Sequence, residues 1–181
     1  MTSLSEPVAP LPEPVEGTAR VRAAASALGL DVEITSRPAA RSLEEAAGIL
    51  GIRPADIVKT LVVKRSSPDA ESGGRFLFAL IPGDRSISWP KLRAVVGVNR
   101  LQLPDAAVAL EATGYERGTI VPLGSTTPWP VYADERIAGA RVAMGAGAHG
   151  YSLFVDADAL IAALGASVAD ISQEITAARP S

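Results

Sequence analysis

Two apolar runs with a short polar segment between them constrain the fold of this chain most strongly. Residues 57–64 (IVKTLVVK) are rich in β-branched side chains, and residues 75–81 (RFLFALI) follow after the polar segment 66–74. β-Branched and aromatic side chains pack well on the pleated surface of a sheet, so both runs predict buried strands. The spacing favours an antiparallel pair joined by a loop longer than a tight turn.

Capping signals predict the helices around this strand pair. Ser42 and Glu45 form a capping box ahead of an apolar stripe that ends at Gly51, and Ser88 and Asp105 precede two further helices. Helices are predicted over residues 18–28, 42–50, 88–96, 104–112 and 156–164. Short strands are predicted over residues 30–34, 131–133, 141–144, 151–155 and 166–171.

The order of these elements lacks the regular strand–helix alternation of a doubly wound sheet. We therefore expect an α+β fold with a mixed, largely antiparallel central sheet. Residues 1–17 contain four prolines and three glutamates, which predicts a disordered or loosely packed tail. Residues 18–175 are expected to form a single domain, and residues 176–181 a C-terminal tail.

The residue composition excludes several kinds of covalent bond, nucleophile and metal site. The 181 residues include no cysteine and one histidine, which excludes disulfides and cysteine nucleophiles and leaves only carboxylates as further metal ligands. The GxSxG nucleophile elbow and the Walker A phosphate loop are absent from the sequence. We expect no metal and no cofactor. An enzyme of this composition would use activated water or the substrate's own groups, with electrostatic stabilisation.

Charge and apolar patterning limit the partners. The 17 basic and 20 acidic residues give a net charge of −3, so a nucleic-acid contact should be local, such as one end of a strand, because broad phosphate binding needs a basic face. The N-terminal segment has no secretory pattern, and no run of about 18 apolar residues could span a bilayer. We expect a cytoplasmic protein without membrane contact.

Lys59 is the most informative single residue. Strand alternation places Ile57, Lys59, Leu61 and Val63 on one face. A lysine on an apolar face is costly unless it is paired or meets a polar ligand. The alternative is a structural lysine on an edge strand, with its stem packed and its amine in water. The residues alone leave both interpretations open.

Two glycine-containing segments are further candidates. Residues 118–124 (GTIVPLG) could present main-chain amides to a carbonyl or an oxyanion, or form an ordinary surface loop. Residues 144–150 (MGAGAHG) contain the histidine, His149, which is either a general base or an exposed side chain. The GxGxxG spacing within this segment does not indicate dinucleotide binding, because a strand and not a helix follows it.

The order and spacing of these blocks, from about residue 20 to residue 172, resemble the YbaK/EbsC family. That family includes the editing domain of bacterial prolyl-tRNA synthetases and free-standing aminoacyl-tRNA deacylases. The blocks that carry the resemblance are residues 56–63, 78–84, 114–115, 118–124, 131–134, 144–150 and 160–171. The resemblance implies an α+β fold with a mixed sheet flanked by helices. It also implies hydrolysis of the ester between a wrong amino acid and tRNA, chiefly the tRNA for proline.

The resemblance also implies residue roles. Lys59 matches the family's lysine and is the expected catalytic residue, and Ile120, Val121 and Leu123 are expected to set the pocket size. The expected substrate-binding residues are Thr60, Gly118, Val121, Pro122, Leu123, Gly124, Asp134, Gly145, Gly147, His149 and Ser152. The expected partners are the aminoacyl end of tRNA and an aminoacyl-tRNA synthetase, with the chain a monomer or a homodimer.

Three positions depart from the family pattern. Val121 stands before Pro122 where a serine is frequent, Arg117 stands where a glycine is common, and the cysteinyl-tRNA branch carries an aspartate near the position of Ser152. These departures argue against specificity for cysteine. They also motivate two alternatives: a catalytically weak module of the same fold that binds tRNA, and a domain that docks on a synthetase.

Overall fold

The computed structural model describes residues 16–66 and 74–175. The predicted tails lie outside these residues, except for Glu16 and Gly17, which belong to the first helix. That helix therefore begins two residues earlier than its apolar spacing predicts. Most of the polar segment that was predicted to connect the central strands also lies outside the described residues.

Five α-helices and two short 3₁₀ helices lie in the described part of the chain. The α-helices are α1 Glu16–Ala27, α2 Leu43–Leu50, α3 Trp89–Val96, α4 Ala106–Thr113 and α5 Ala157–Leu164, and the 3₁₀ helices are Pro54–Asp56 and Glu135–Ile137. The predicted caps of α2 and α4 are confirmed. The side chains of Ser42 and Asp105 each accept a hydrogen bond at 3.0 Å from the main chain three residues on. None of the helices in these ranges is long and apolar enough to cross a membrane.

The described residues contain ten strands, which form three sheets. The strands are β1 Val32–Ser36, β2 Val58–Arg65, β3 Phe76–Pro82, β4 Arg85–Ile87, β5 Leu101–Gln102, β6 Val131–Asp134, β7 Arg141–Gly145, β8 Tyr151–Asp156, β9 Ser167–Ala169 and β10 Ser172–Glu174. The strand orders are β5-β2-β3-β6-β9, β1-β8-β7 and β10-β4. Among these ten strands, β3–β6 and β6–β9 are the parallel pairs and the other pairs are antiparallel. The predicted α+β class with a mixed, largely antiparallel sheet is confirmed.

The central pair β2–β3 divides the core into two parts. Both strands alternate, so Val58 and Val62 pack with Phe78 and Leu80 on one side of the sheet. Val63, Leu77, Ile81 and Leu92 pack on the other side, beneath β4 and α3. The predicted antiparallel pairing is confirmed, with Lys59 opposite Ile81. Both faces of β3 are buried, so β3 is held firmly in the core. Its pairing with β2 therefore fixes the position of the residues along β2.

The strand predicted over residues 166–171 is confirmed only as the shorter strand β9. The segment contains β9, which pairs with β6, and is followed by β10, which pairs with β4 in another sheet. The break falls at Asp170 and Ile171, where the N–H of Ile171 donates to the buried carboxylate of Asp134 at 3.1 Å. Asp170 binds Lys91 at 2.9 Å and Arg136 at 2.8 Å. These contacts turn the chain from one sheet to the next.

Candidate functional site

A cleft of about 660 Å³ opens beside β2. Its walls come from α2, the start of α4, the loop that contains Gly118, and the facing ends of β7 and β8. Pockets for small ligands typically enclose roughly 300–1,000 Å³. The charged side chains in its wall are Arg37, Lys59 and Arg117, and the hydroxyl-bearing ones are Ser42, Thr60, Tyr151 and Ser152. No carboxylate of the described residues lines it.

One side of β2 is a free strand edge that borders the cleft. Strand β3 pairs with β2 from Val58 to Lys64, whereas β5 pairs with the opposite side only at Lys64 and Arg65. The other contact on that side is an isolated bridge between Ile57 and Ala143. Between these two points, no strand in the described ranges covers the edge.

The register shows which main-chain groups point to this free edge. The N–H of Gly83 donates to the carbonyl of Ile57 at 2.7 Å, on the side of β3. In an antiparallel pair, successive residues direct their N–H and C=O groups to opposite sides. Thr60 and Val62 therefore direct theirs toward the cleft, where a ligand can use them as hydrogen-bond donors and acceptors.

Lys59 lies half-buried in the wall of the cleft. Its ammonium donates a hydrogen bond to the main-chain carbonyl of Arg85 in β4. Burial lowers the pKa of Lys59, and the negative charges of Asp84 and Glu44 counteract part of that shift. The amine of Lys59 is bonded to a main-chain carbonyl. Lys59 still lies on an edge strand, because no strand of the described residues covers the side of β2 opposite β3 here. The structure therefore agrees with the strand position in the structural alternative and differs from it in the hydrogen-bonded amine.

Thr60, the next residue, also lines the cleft and carries a buried hydroxyl, on the opposite face of β2 from Lys59. Its Oγ1 is shielded from solvent and has no hydrogen-bond partner among the described residues. A buried polar atom without a partner costs about 1–3 kcal/mol, so such atoms are uncommon in native proteins. Thr60 lines the cleft, but its oxygen is shielded in the free protein, so a ligand would reach this hydroxyl only if the cleft wall shifts locally.

The two glycine segments meet beside the cleft. The N–H of Gly147 donates to the carbonyl of Thr119 at 2.9 Å. A β-carbon at position 145 would lie 2.6 Å from the carbonyl oxygen of Ile120, so only glycine allows this approach. Gly118 has φ +89 and lines the cleft together with Gly145. The structure thus brings both predicted segments together beside the cleft, although Gly147 itself does not line it.

The centre of the first segment faces the core and not the cleft. Val121 is 0% exposed and Leu123 is 1% exposed, and Pro122 between them is also buried. The expectation that the side chains of Val121 and Leu123 set the pocket size is wrong, because core packing occupies them. Ile120 is the residue of this loop whose apolar side chain lines the cleft.

Gly124 and Asp134 also lie away from the cleft wall. Gly124 has φ +76, and its carbonyl accepts a hydrogen bond from the Arg20 guanidinium, which anchors the end of the loop. Asp134 is fully buried. Burial alone would raise the pKa of its carboxyl, but hydrogen bonds from Arg136, Ser172 and Ile171 outweigh burial and lower it. The predicted substrate contact of Asp134 is replaced by a structural role at the turn between β9 and β10.

His149 and Ser152 are partnered within the protein. The Nε2 of His149 lies 2.9 Å from Glu116 on the exposed rim, next to Gly118, and does not line the cleft. Ser152 lines the cleft, and its Oγ accepts a hydrogen bond from the Nε of Arg37 at 2.8 Å. Ser152 therefore holds the Arg37 side chain in the cleft wall, and its predicted role in substrate binding stays a prediction.

Sequence reasoning missed the two arginines of the cleft wall, Arg37 and Arg117. Arg37 follows β1 and lies 115 positions from its partner Ser152, so no local pattern connects them. Arg117 precedes Gly118 and was noted only as a departure from a family pattern. Within residues 16–66 and 74–175, no group of three histidine or carboxylate side chains could hold a metal ion.

Comparison with known proteins gives a consistent result. The sequence pattern of the aminoacyl-tRNA editing domain matches residues 37–163. The chain is 30% identical over 110 residues to the proline–tRNA ligase of Bacillus licheniformis, and 37% identical over 90 residues to that of Thermosipho africanus. These regions cover 60% and 49% of this chain but only 18% and 14% of the ligases. The chain thus spans less than a fifth of the length of these relatives.

Solved structures extend the similarity to nearly the whole fold. A candidate trans-editing enzyme for prolyl-tRNA synthetase superposes with a TM-score of 0.79 at 27% identity, over 88% of this chain and 99% of that one. The hypothetical protein APE2540 superposes with a TM-score of 0.75 at 28% identity, over 85% and 99% of the two chains. The resemblance found from the sequence blocks is confirmed.

Proposed function

Because the chain belongs to the aminoacyl-tRNA editing domain family, we propose that it is a trans-editing deacylase, which hydrolyses the ester of a mischarged tRNA. The first candidate is the tRNA for proline, since similar domains occur in proline–tRNA ligases. The proposal depends most on one observation: the cleft combines Lys59, two arginines and a free strand edge, and no carboxylate of the described residues lines it. We place the activity in the cytoplasm, where aminoacyl-tRNAs are used.

The substrate's chemistry fits the composition of this cleft. The end of a tRNA carries phosphates, ribose hydroxyls and a base that stacks, and the aminoacyl group adds an ester carbonyl and an amine. Lys59 and the two arginines can donate hydrogen bonds to the phosphate oxygens of the tRNA and to the carbonyl oxygen of the ester. The amine is a donor that needs neutral acceptors here, which the carbonyls on the free edge and the hydroxyl of Thr60 provide.

The reaction requires water to attack the ester carbonyl, after which the ester bond breaks to give the free amino acid and the 3′-terminal ribose hydroxyl. No carboxylate lines the cleft within the described residues. We therefore assign activation of the water to the substrate's neighbouring ribose hydroxyl. Lys59 and the main chain at Gly118 stabilise the negative charge that develops on the carbonyl oxygen. No metal has a part in this mechanism.

The cleft volume does not identify the amino acid. At about 660 Å³ it admits a nucleoside together with any small aminoacyl group, so it does not separate alanine or serine from cysteine or threonine. Selection must come from the part of the wall that the side chain touches. Leu43, Ala46 and Ile120 supply apolar surface there, and one methylene in such a wall discriminates only about 10–200-fold.

The test is hydrolysis of a panel of proline-type tRNAs that carry alanine, serine, cysteine, threonine or proline, measured as release of the labelled amino acid. The proposal predicts at least one non-cognate substrate that is hydrolysed well above the uncatalysed rate, with prolyl-tRNA spared. Binding of tRNA without hydrolysis of any panel member would instead support the binding module. Co-purification with a synthetase that does not depend on tRNA would support a docking domain.

A further inference from the structure

We propose that Arg37 and Arg117 hold a phosphodiester group of the RNA 3′ end at the cleft, with Arg37 as a fixed anchor and Arg117 as a free clamp. This inference rests on the proposed function, because it names the part of the substrate that the two arginines recognise. It assigns a binding site to residues that neither the sequence pattern nor the comparisons single out.

Arg37 is held in one orientation by three contacts. Its Nε donates to the Oγ of Ser152 at 2.8 Å, and its Nη1 donates to the carbonyl of Pro38 at 3.1 Å. Its main-chain N–H donates to the carbonyl of Gly150 at 2.8 Å. A guanidinium has five N–H donors, and the two side-chain bonds leave three of them free on a side chain that lines the cleft. None of its partners is a carboxylate, so its charge is not neutralised.

Arg117 differs from Arg37 because no other described residue holds its side chain in place. It is exposed, and it makes no hydrogen bond or ion pair with any residue in the described ranges. It lies next to Gly118, whose φ of +89 bends the chain at the cleft wall. A long, unpaired arginine beside a concave site can close on a ligand without first breaking another contact.

A phosphate is the group that matches these two side chains. Cations that line a concave site without a neutralising carboxylate focus a positive potential inside it. The planar fork of a guanidinium binds phosphate through two parallel hydrogen bonds. An aminoacyl ester has no carboxylate of its own, whereas the RNA brings one phosphate for each nucleotide. The amino acid carboxylate appears only after hydrolysis and is the competing source of negative charge.

Ser152 is a positioning residue in this arrangement, because it acts through Arg37. Without its hydroxyl, the guanidinium keeps its charge but loses the bond that fixes its plane. The Ser152→Ala variant should therefore bind RNA about five- to tenfold more weakly, while the dependence of binding on salt stays as in the wild type. The Ser152→Thr variant retains the acceptor and should restore most of the affinity.

The experiment measures binding of a 12-nucleotide single-stranded RNA that ends in CCA, labelled at its 5′ end, over a range of salt concentrations. For single strands, the slope of log K against log salt falls by about 0.7 for each phosphate contact. Because both side chains contact one phosphodiester group, the Arg37→Ala and Arg117→Ala variants should each lose part of that slope, and the double variant about 0.7 in total. Arg22→Ala is the matched control, because Arg22 is an exposed arginine on α1 outside the cleft, and it should keep the full slope.

Competition by small ligands distinguishes the source of the negative charge. Adenosine 5′-monophosphate should displace the RNA better than adenosine does, and this advantage should disappear in Arg37→Ala. If free alanine or proline displaces the RNA as well as the nucleotide does, the arginines bind the carboxylate product and the inference is wrong. It is also wrong if the three arginine variants lose equal slope, or if the nucleotide keeps its advantage in Arg37→Ala.

These outcomes are separate from those of the hydrolysis panel. A protein that binds the RNA through both arginines but hydrolyses no substrate would retain this inference and lose the proposed enzymatic function. A protein that hydrolyses a mischarged tRNA with unchanged salt slopes in both variants would retain the function and lose the inference.

Discussion

Replacing Thr60 by valine should stabilise the free protein and impair its reaction. The Thr60 hydroxyl is buried without a partner among the described residues, and a buried unsatisfied polar atom costs about 1–3 kcal/mol. Valine has nearly the same shape and suits a strand. We therefore expect the free energy of unfolding to rise by about 1 kcal/mol, which raises the Tm by about 2–4 °C for a domain of this size.

The effect on turnover should have the opposite sign. If the hydroxyl bonds to the substrate in the transition state, its loss should lower kcat/KM about 10- to 100-fold, equivalent to about 1.4–2.7 kcal/mol. Thermal unfolding followed by circular dichroism measures the first effect, and deacylation of the best substrate in the panel measures the second.

Thr113 provides the matched control. Its buried hydroxyl donates to the carbonyl of Ala109 at 2.8 Å and accepts from the N–H of Tyr115 at 3.1 Å. The Thr113→Val variant removes a satisfied hydroxyl and should destabilise the protein by about 1–3 kcal/mol. The reasoning about Thr60 is refuted if Thr60→Val lowers the Tm as Thr113→Val does, or if turnover stays at the wild-type level.

Two further predictions concern residues that stabilise the fold around the site. Gly145→Ala should destabilise the protein by about 1–3 kcal/mol, because the new methyl group would meet main-chain atoms at 2.6 and 2.9 Å. Gly48→Ala in open space on α2 should instead stabilise it by about 0.5–1 kcal/mol, and chemical denaturation compares the two. Hydrogen bonds from Lys91 and Arg136 lower the pKa of Asp170 from 3.8 to about 2, so its contribution to stability is complete above pH 4 and disappears as the pH falls toward 2. The stability difference between the wild type and Asp170→Asn should therefore shrink over that interval, and an unchanged difference would contradict the assignment.

Local signals were enough for most of the fold. The capping residues Ser42 and Asp105 act within three positions of themselves, so the sequence predicts them directly. The paired central strands follow from two apolar runs and the distance between them. The strand break at Asp170 was missed because the carboxylate of Asp134 and the ammonium of Lys91 create it, and both come from distant parts of the chain.

The site was only partly predictable for the same physical reason. Glycines indicate where main chains approach closely, and Gly118 and Gly145 do lie at the cleft. An apolar residue in a loop carries no information about which side of the loop it faces, and Val121 faces the core. Arg37 acquires its role through a hydrogen bond to Ser152, a contact that only folding creates.

The measurement that tests the central claim most directly is the single-turnover rate of deacylation at the Lys59 cleft, for the panel substrate that the wild type hydrolyses fastest. The Lys59→Ala variant should lose about 100- to 1,000-fold in rate, the size expected when one stabilising donor is removed from a developing oxyanion. Arg22→Ala should react at the wild-type rate. A folded Lys59→Ala variant that hydrolyses the substrate within about threefold of the wild type, less than about 0.7 kcal/mol in the barrier, would contradict the assignment of the reaction to this cleft.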